Sequence, residues 1–363
     1  GRVQSVVVKL VKEREDEINS FENKKYYKIT GRFDGSKLQA ELSTTLANSK
    51  AVKKFLKHCR EASFTITKIS KKQSTRKASA PFITSTLQQQ ASVKMGFSPK
   101  KTMMVAQKLY ENGLITYMRT DSLNLSVDAL DAIQKEIEER YGVEYYMRKM
   151  YTNKSKNSQE AHEAIRPSIM GKSDLMDMGE RTADENKLYK LIWKRTIASQ
   201  MSPAKINLMT LKISISGRDE LFVAKGENVI FDGFLLVYKK LQINDNDDDN
   251  ASNSAETNTD KNELSMFKSY SQGDEVNYTE LIGNERRTKP PHGHFSEASL
   301  VKKLESIGVG RPSTYSSIIS TVQERNYVKK TSKKGEEITL KTYKMENCAR
   351  GDNGDNGDNI SAI

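Results

Sequence analysis

Cysteine is almost absent: the 363 residues hold two, Cys59 and Cys348, far apart and outside any C-x-x-C pair. That excludes a disulfide framework and a zinc ribbon and makes a reducing compartment the default. No run of about 18 apolar residues occurs, so no segment is long enough to cross a membrane as a helix. A G-x-x-x-x-G-K-[ST] phosphate loop is also lacking. So are an initiator Met and a signal-peptide layout. The opening GRVQSVVVKLVKERE runs from its apolar VVV straight into charge, as expected of the interior of a longer protein.

What is present is positive charge. Lys and Arg number 59 against 47 Asp and Glu, a formal net charge of +12 with a pI near 9.3. Such an excess favours a polyanionic partner, and without a basic amphipathic anchor nucleic acid is favoured over an anionic membrane. Hydrophobic residues make up 36% of the chain, enough to give two or three domains cores of their own.

Three stretches carry chemistry. The first is GLITYMRTDSLN, residues 113–124, directly after a strong helix signal. Ser98 and Pro99 supply an N-cap and a first-turn proline. Met103, Met104, Ala106, Leu109 and Tyr110 give an apolar face, and Asn112-Gly113 is the stop. Period-two alternation beyond it predicts a short strand with Ile115, Tyr117 and Arg119 on one face and Leu114, Thr116 and Met118 on the other. A phenol can attack a phosphoryl centre while a neighbouring guanidinium holds the charge that develops. A tyrosine packed at a strand edge has the same spacing.

The second is QEAHEAIRPS, residues 159–168. His162 and Arg166 are four apart and share a face if helical, and Pro167 turns Arg166 into an extended end. A histidine there can hold a phosphate oxygen or relay a proton; a surface His–Arg pair is the plain alternative. The third is FSEASLVKKLESIGVGRPSTYSSIISTVQERNYV, residues 295–328. Ser296 caps a helix with Leu300, Leu304 and Ile307 inward. Ser313 or Thr314 caps a second with Tyr315, Ile318, Ile319 and Val322 inward. Between them GVGRPS gathers backbone N–H groups, a helix dipole and Arg311, as phosphate sites do; a structural helix-turn-helix is the alternative.

The remainder reads as scaffold. Residues 2–19 form an amphipathic helix, residues 26–69 β-like runs around a helix at 50–58, and residues 70–80 a basic linker or hinge. Thr84 or Ser85 caps a helix to residue 94, Ser126 opens another that ends near Gly142, and residues 184–200 make a helix bearing Trp193. INLMTLKISIS, ELFVAKG and FLLVYKK return to β structure. Residues 244–262 are an acidic Asn/Ser/Thr tract expected to be disordered. Its Asp-x-Asp spacing is no metal site, because nothing rigid would fix the carboxylates. The Gly-Asp-Asn repeat near the C-terminus is expected to be disordered as well.

Taken together, GLITYMRTDS, EAHEAIRP and GRPSTY resemble three segments of the type IA DNA topoisomerase family, of the bacterial topoisomerase I kind. GRVQS resembles that family's segment just after its N-terminal metal-binding domain. The resemblance runs in order from residue 1 to about 328. It implies a mixed α and β, multidomain fold in which helical, winged-helix-like DNA-binding domains are joined by a β-rich arch into a toroid. The arch is expected at residues 22–79 plus 201–285, the tyrosine domain at 80–200, the last DNA-binding domain at 1–21 plus 286–348, and a disordered tail at 349–363. It further implies Tyr117 as the nucleophile that forms a 5′-phosphotyrosine, with Arg119 and His162 in the catalytic pocket. Gly1, Arg2, Ser5, Arg166, Arg311, Ser313, Thr314 and Arg325 are the implied DNA contacts.

The implied cofactor is Mg²⁺, with ligands in a TOPRIM domain expected before Gly1 and none in this chain; no ATP is needed. The implied partner is DNA, single-stranded or negatively supercoiled, acted on by an intracellular monomer, in the cytoplasm or nucleoid, or in a nucleus or organelle. A phenol holds its proton at neutral pH, so the chain by itself is expected to bind single-stranded DNA without relaxing plasmid. A non-catalytic DNA-binding module is the competing class. A tyrosine recombinase is disfavoured because its arginine, histidine and tyrosine do not occur here in its order.

Overall fold

Strict alternation of buried and exposed residues sets the largest element of the fold. Leu38, Ala40 and Leu42 point in while Gln39 and Glu41 point out, and Leu211, Ile213 and Ile215 repeat the pattern. In the computed structural model, which describes residues 1–151, 162–177, 179–240, 269–332, 335, 337–347 and 360–362, these runs make one antiparallel sheet. Its strands are β1 Lys25–Phe33, β2 Leu38–Leu42, β3 Phe64–Arg76, β4 Ala204–Ile215, β5 Leu221–Phe231, β6 Tyr278–Arg287, β7 Thr342–Glu346 and β8 Ile360–Ala362. They lie side by side in the order β3-β4-β5-β2-β1-β6-β7-β8. Helix α1 covers Arg2–Asn19, and α2, Ser49–Glu61, lays Val52, Phe55, Leu56 and Cys59 into the sheet's core. Burial pushes the Cys59 thiol up to about 12, so it serves as packing and not as a nucleophile.

The chain leaves the sheet at Arg76 and returns at Ala204; the segment between, with α7, forms a second core. Its helices are α3 Thr84–Met95, α4 Pro99–Glu111, α5 Val127–Tyr141, α6 Ala183–Ser199 and α7 Leu235–Lys240. The signals at their N-termini explain where three of them start: Ser98, Ser126 and Thr182 each accept a backbone N–H of the first turn. Trp193 is fully buried at the centre and donates its Nε1–H to the Met170 carbonyl at 2.7 Å. The third core joins α1 to α8, Glu297–Ser306, and α9, Tyr315–Glu324, through Val7, Val301, Leu304, Ile319 and Val322. Helix α8 packs on α3 and α9 on α4, with Ser85 Oγ donating to Glu305 Oε1 at 2.5 Å across the contact.

Several expectations are corrected. Residues 70–76 are no linker: β3 runs through them, paired from Lys71↔Met209 to Arg76↔Ala204. Their side chains are largely solvated, so the composition imitates a loop while the backbone is in a ladder. FLLVYKK holds no strand; from Leu235 on it is α7, and Phe234 just before it falls at helical spacing with Val237 and Tyr238, Val237 being fully buried. Residues 360–362, placed by sequence in an unstructured tail, pair with β7, and residues 342–346 join β6 in the sheet although sequence grouped them with the last helical domain. The acidic tract at 244–262, residues 159–161 of the histidine stretch, Cys348 and the rest of the tail lie outside the described residues. No helix among the described residues is long and apolar enough to cross a membrane.

Candidate active site

Helix α4 ends as its sequence dictates. Asn112 closes it, Gly113 takes φ +68, and Leu114 N–H returns to the Leu109 carbonyl at 2.9 Å. The expected strand does not follow. Ile115 makes a single bridge to Pro167, and residues 116–124 run irregularly. The reason is hydroxyl chemistry: Thr120 Oγ1 accepts from Ser122 N–H at 3.0 Å and Ser122 Oγ from Asn124 N–H at 3.2 Å, turns that compete with a ladder. Met118 and Thr120 are buried while Tyr117 and Arg119 are exposed; Ile115, expected on their face, is buried.

Two threonines hold this segment. The sequence offers Thr84 or Ser85 as the cap of α3, but Ile83 occupies the cap position and Thr84 Oγ1 instead donates to the Met118 carbonyl at 2.7 Å and accepts from Thr120 N–H at 3.0 Å. Both contacts flank Tyr117 and Arg119, and Thr84 is fully buried. Thr84→Val should therefore lower stability by about 2 kcal/mol, because a buried donor and acceptor lose their partner while the shape is kept. Urea denaturation measures the loss, and amide exchange at Thr120 should quicken with it. Thr116 is the second clamp: its Oγ1 donates to the Ala164 carbonyl at 2.7 Å and accepts from Arg166 N–H at 2.9 Å, and its N–H meets the Arg166 carbonyl at 2.9 Å.

These bonds splice the second stretch onto the first. Residues 162–168 are extended rather than helical, so the face-sharing of His162 and Arg166 at helical spacing is not realised. Ile165 bridges Phe82, and Pro167 bridges Ile115, because backbone partners on both flanks outcompete an isolated helical turn. His162, half-buried, thus leads into the segment that is bonded to Ile115 and Thr116, just before Tyr117. Arg166 turns onto Glu163, with Nε and Nη2 at 3.0 and 2.6 Å from Oε2, while Glu163 Oε1 accepts Ser126 N–H at 2.7 Å. Burial opposes the charge on Glu163, but the Ser126 hydrogen bond and the Arg166 guanidinium outweigh it and hold the carboxyl below its usual range.

The third stretch approaches from α9. Arg311, Ser313 and Arg325 are exposed and Thr314 half-exposed. Thr314 sits at the cap position without a side-chain capping bond; its Oγ1 accepts from Arg311 N–H at 2.8 Å instead. Gly310, at φ +88, lies so close to Tyr315 and Ile318 that a Cβ would fall 3.0 Å from the Tyr315 ring. Burial pushes the Tyr315 hydroxyl up to about 12, with Glu305 and Asp121 adding to it against Arg311. Gly1, Arg2 and Ser5 are exposed at the start of α1, and Arg325 Nη1 meets Gln4 Oε1 at 3.0 Å, so the two chain-distant DNA-contact candidates share one surface.

Sequence reasoning did not single out Glu163; it gave Thr84 as a cap, Thr116 as a strand position and Tyr110 as part of an apolar helix face, whereas the Tyr110 ring stands edge-on to Tyr117 with centroids 5.2 Å apart. The T-x-S-x-N spacing of residues 120–124 was the available signal for the irregular backbone. Two surface concavities of about 440 and 520 Å³, lined by Gln73, Ser74, Thr75 and Lys205 and by Asp131, Gln134, Lys135, Glu138 and Glu139, include neither Tyr117 nor His162. Tyr117 and Arg119 lie on the surface, open to a polymer. Among the described residues no group of three His, Cys, Asp or Glu side chains is arranged to hold a metal ion.

Comparison with known proteins gives the family. The family described as DNA topoisomerase matches residues 1–345. A mimivirus protein of Acanthamoeba polyphaga, DNA topoisomerase 1 type prokaryotic, is 42% identical over 96% of this chain and 43% of its own length. DNA topoisomerase 1 of Rickettsia bellii is 42% identical over 90% of this chain and 42% of its own. Full-length topoisomerase I of Thermotoga maritima superposes with a TM-score of 0.72 at 34% identity, over 91% of this chain and 52% of that one. The chain thus spans less than half the length of these curated relatives and shares the mixed α and β, multidomain, toroidal architecture of the solved one. By its sequence and by its fold, this chain belongs to the type IA family of DNA topoisomerases.

Proposed function

We propose that the protein containing this chain changes DNA topology by breaking and rejoining one strand, with Tyr117 as nucleophile. Tyr117 Oη forms a bond to a backbone phosphorus and the bond to the 3′ oxygen breaks, leaving a 5′-phosphotyrosine and a 3′-hydroxyl that takes up the proton. After strand passage the 3′-hydroxyl attacks the same phosphorus and restores the phenol. Each step exchanges one phosphoester for another, so no ATP is consumed. The observation that carries this reading is the Thr116 splice, which brings the histidine stretch alongside an exposed tyrosine and arginine. Arg119 has no ion pair among the described residues and is the cation available to the phosphate under attack. His162 supports the pocket, and Arg166, engaged by Glu163, braces it.

Arg311, Ser313, Thr314 and Arg325, with Gly1, Arg2 and Ser5, form the path for single-stranded DNA on the α1–α9 surface. The tyrosine domain spans the helices between β3 and β4, the sheet forms the arch, and α1, α8 and α9 the last DNA-binding domain. Mg²⁺ is the family's cofactor, and the described residues hold no ligand cluster that fits it. The substrate is single-stranded or negatively supercoiled DNA, and the enzyme works as an intracellular monomer. The test is to offer the chain a single-stranded oligonucleotide and a supercoiled plasmid. It should bind the first and leave the second unrelaxed; relaxation by the chain alone with Mg²⁺ would show that this chain holds a whole active site.

A further inference from the structure

The sheet has an inner face packed on its core and an outer face in solvent, and the two halves of the outer face treat charge differently. Toward β1, β2, β6 and β7 the cations are neutralised except Arg286: Lys28 by Glu41 at 2.6 Å, Arg32 by Glu280 at 2.5 Å, Lys344 by Glu280 and Glu346 at 3.1 and 2.5 Å. Toward β3, β4 and β5 they are not. Residues directly opposite share a face, and Leu211, Ile213 and Ala224 fill the core, so Lys68, Lys72, Lys212 and Lys225 project outward. None of these four lysines has an ion pair among the described residues; on this half of the face only Arg76 does, to Glu227 at 2.8 Å.

Lys68 stands directly opposite Lys212, a like-charge pair that disfavours the sheet. Protection of an open edge accounts for lysines on β3, which ends the sheet, but not for Lys212 and Lys225 on the interior strands β4 and β5. Ser70 and Thr210, opposite each other, add hydroxyl donors between the lysines, and no aromatic side chain lies on this face of β3, β4 or β5. Lysines and hydroxyls without aromatics suit a phosphate backbone, whereas single strands are gripped by base stacking.

We propose that the outer face of β3, β4 and β5 is a second nucleic-acid contact, which takes the phosphate backbone of a DNA duplex. It rests on the reading that the partner is DNA and is independent of the Tyr117 chemistry, so Tyr117→Phe should leave duplex binding unchanged. The test is anisotropy of the 363-residue chain with a blunt duplex and with a single strand over a range of salt. The combined variant K68Q/K72Q/K212Q/K225Q should flatten the slope of log K against log salt for the duplex by about 2 to 4 and weaken duplex binding roughly tenfold or more near 0.1 M salt, leaving the single strand within about twofold. Glu227→Gln, which frees Arg76, should steepen the duplex slope by about 1, a gain that misfolding cannot mimic. Neutralising the paired set in K28Q/R32Q/K344Q should change neither ligand. An unchanged duplex slope in the combined variant, equal losses for both ligands, no gain in Glu227→Gln, or polyglutamate binding equal to duplex at equal charge would each overturn the proposal.

Discussion

Tyr117→Phe, made in the full-length gene product, should abolish covalent attachment to a DNA strand, by about 10⁴-fold or more, while affinity for the uncleaved single strand stays within about twofold. The substitution removes one oxygen. The ring and its edge-on contact with Tyr110 remain, and among the described residues the Tyr117 hydroxyl makes no hydrogen bond, so stability should move by no more than about 0.5 kcal/mol. Denaturation of the reaction traps the adduct, and DNA labelled at its 3′ end stays on the protein when the linkage is a 5′-phosphotyrosine. An adduct that survives in the phenylalanine variant, or that maps to another tyrosine, would show that the exposed phenol is not the nucleophile.

Glu163→Ala should be the most damaging single change around the site that leaves Tyr117 itself untouched. Glu163 ties three things together: the Ser126 N–H that opens α5, the Arg166 guanidinium, and through Arg166 the strand that grips Thr116. Its removal leaves a part-buried arginine unpaired, and a loss of about 3 kcal/mol is expected, less than for a fully buried pair because the carboxylate keeps 28% exposure. The pH dependence has a definite sign. The folded-state carboxyl lies below its ordinary 4.5, so its contribution is fully present above that value and is lost as pH falls through the lower folded one. Wild type should therefore lose stability on acidification from about pH 5 downward more steeply than Glu163→Ala does. Urea midpoints at a series of pH values measure both; parallel curves would mean the pair is not coupled to the fold.

Much of the scaffold could be read directly from residues. Ser98-Pro99 with Asn112-Gly113 bounded α4, Ser126 and Ser296 began their helices, and the alternation in INLMTLKISIS marked β4, because these signals act over one turn or one strand and need no distant partner. The basic segment at 70–76 and FLLVYKK were misread for the opposite reason. Whether a solvated run pairs, or an apolar one coils, depends on what lies beside it: Met209 to Ala204 in one case, the α6 core in the other.

The tyrosine stretch shows the same division within a few residues. By itself the sequence determined that a phenol and a guanidinium sit two apart after a stopped helix, that the stretch has company at His162 and Arg311, and that the chain resembles a family of DNA enzymes. It could not determine that Tyr117 lies on no strand, that Thr84 holds Met118 from 34 residues away and Thr116 holds Ala164 across 48, or that Glu163 draws Arg166 inward. Only the tertiary structure decided these, because a hydroxyl or carboxylate offers the same donor or acceptor to a local turn as to a remote carbonyl. The choice falls to whichever partner burial brings within hydrogen-bonding distance.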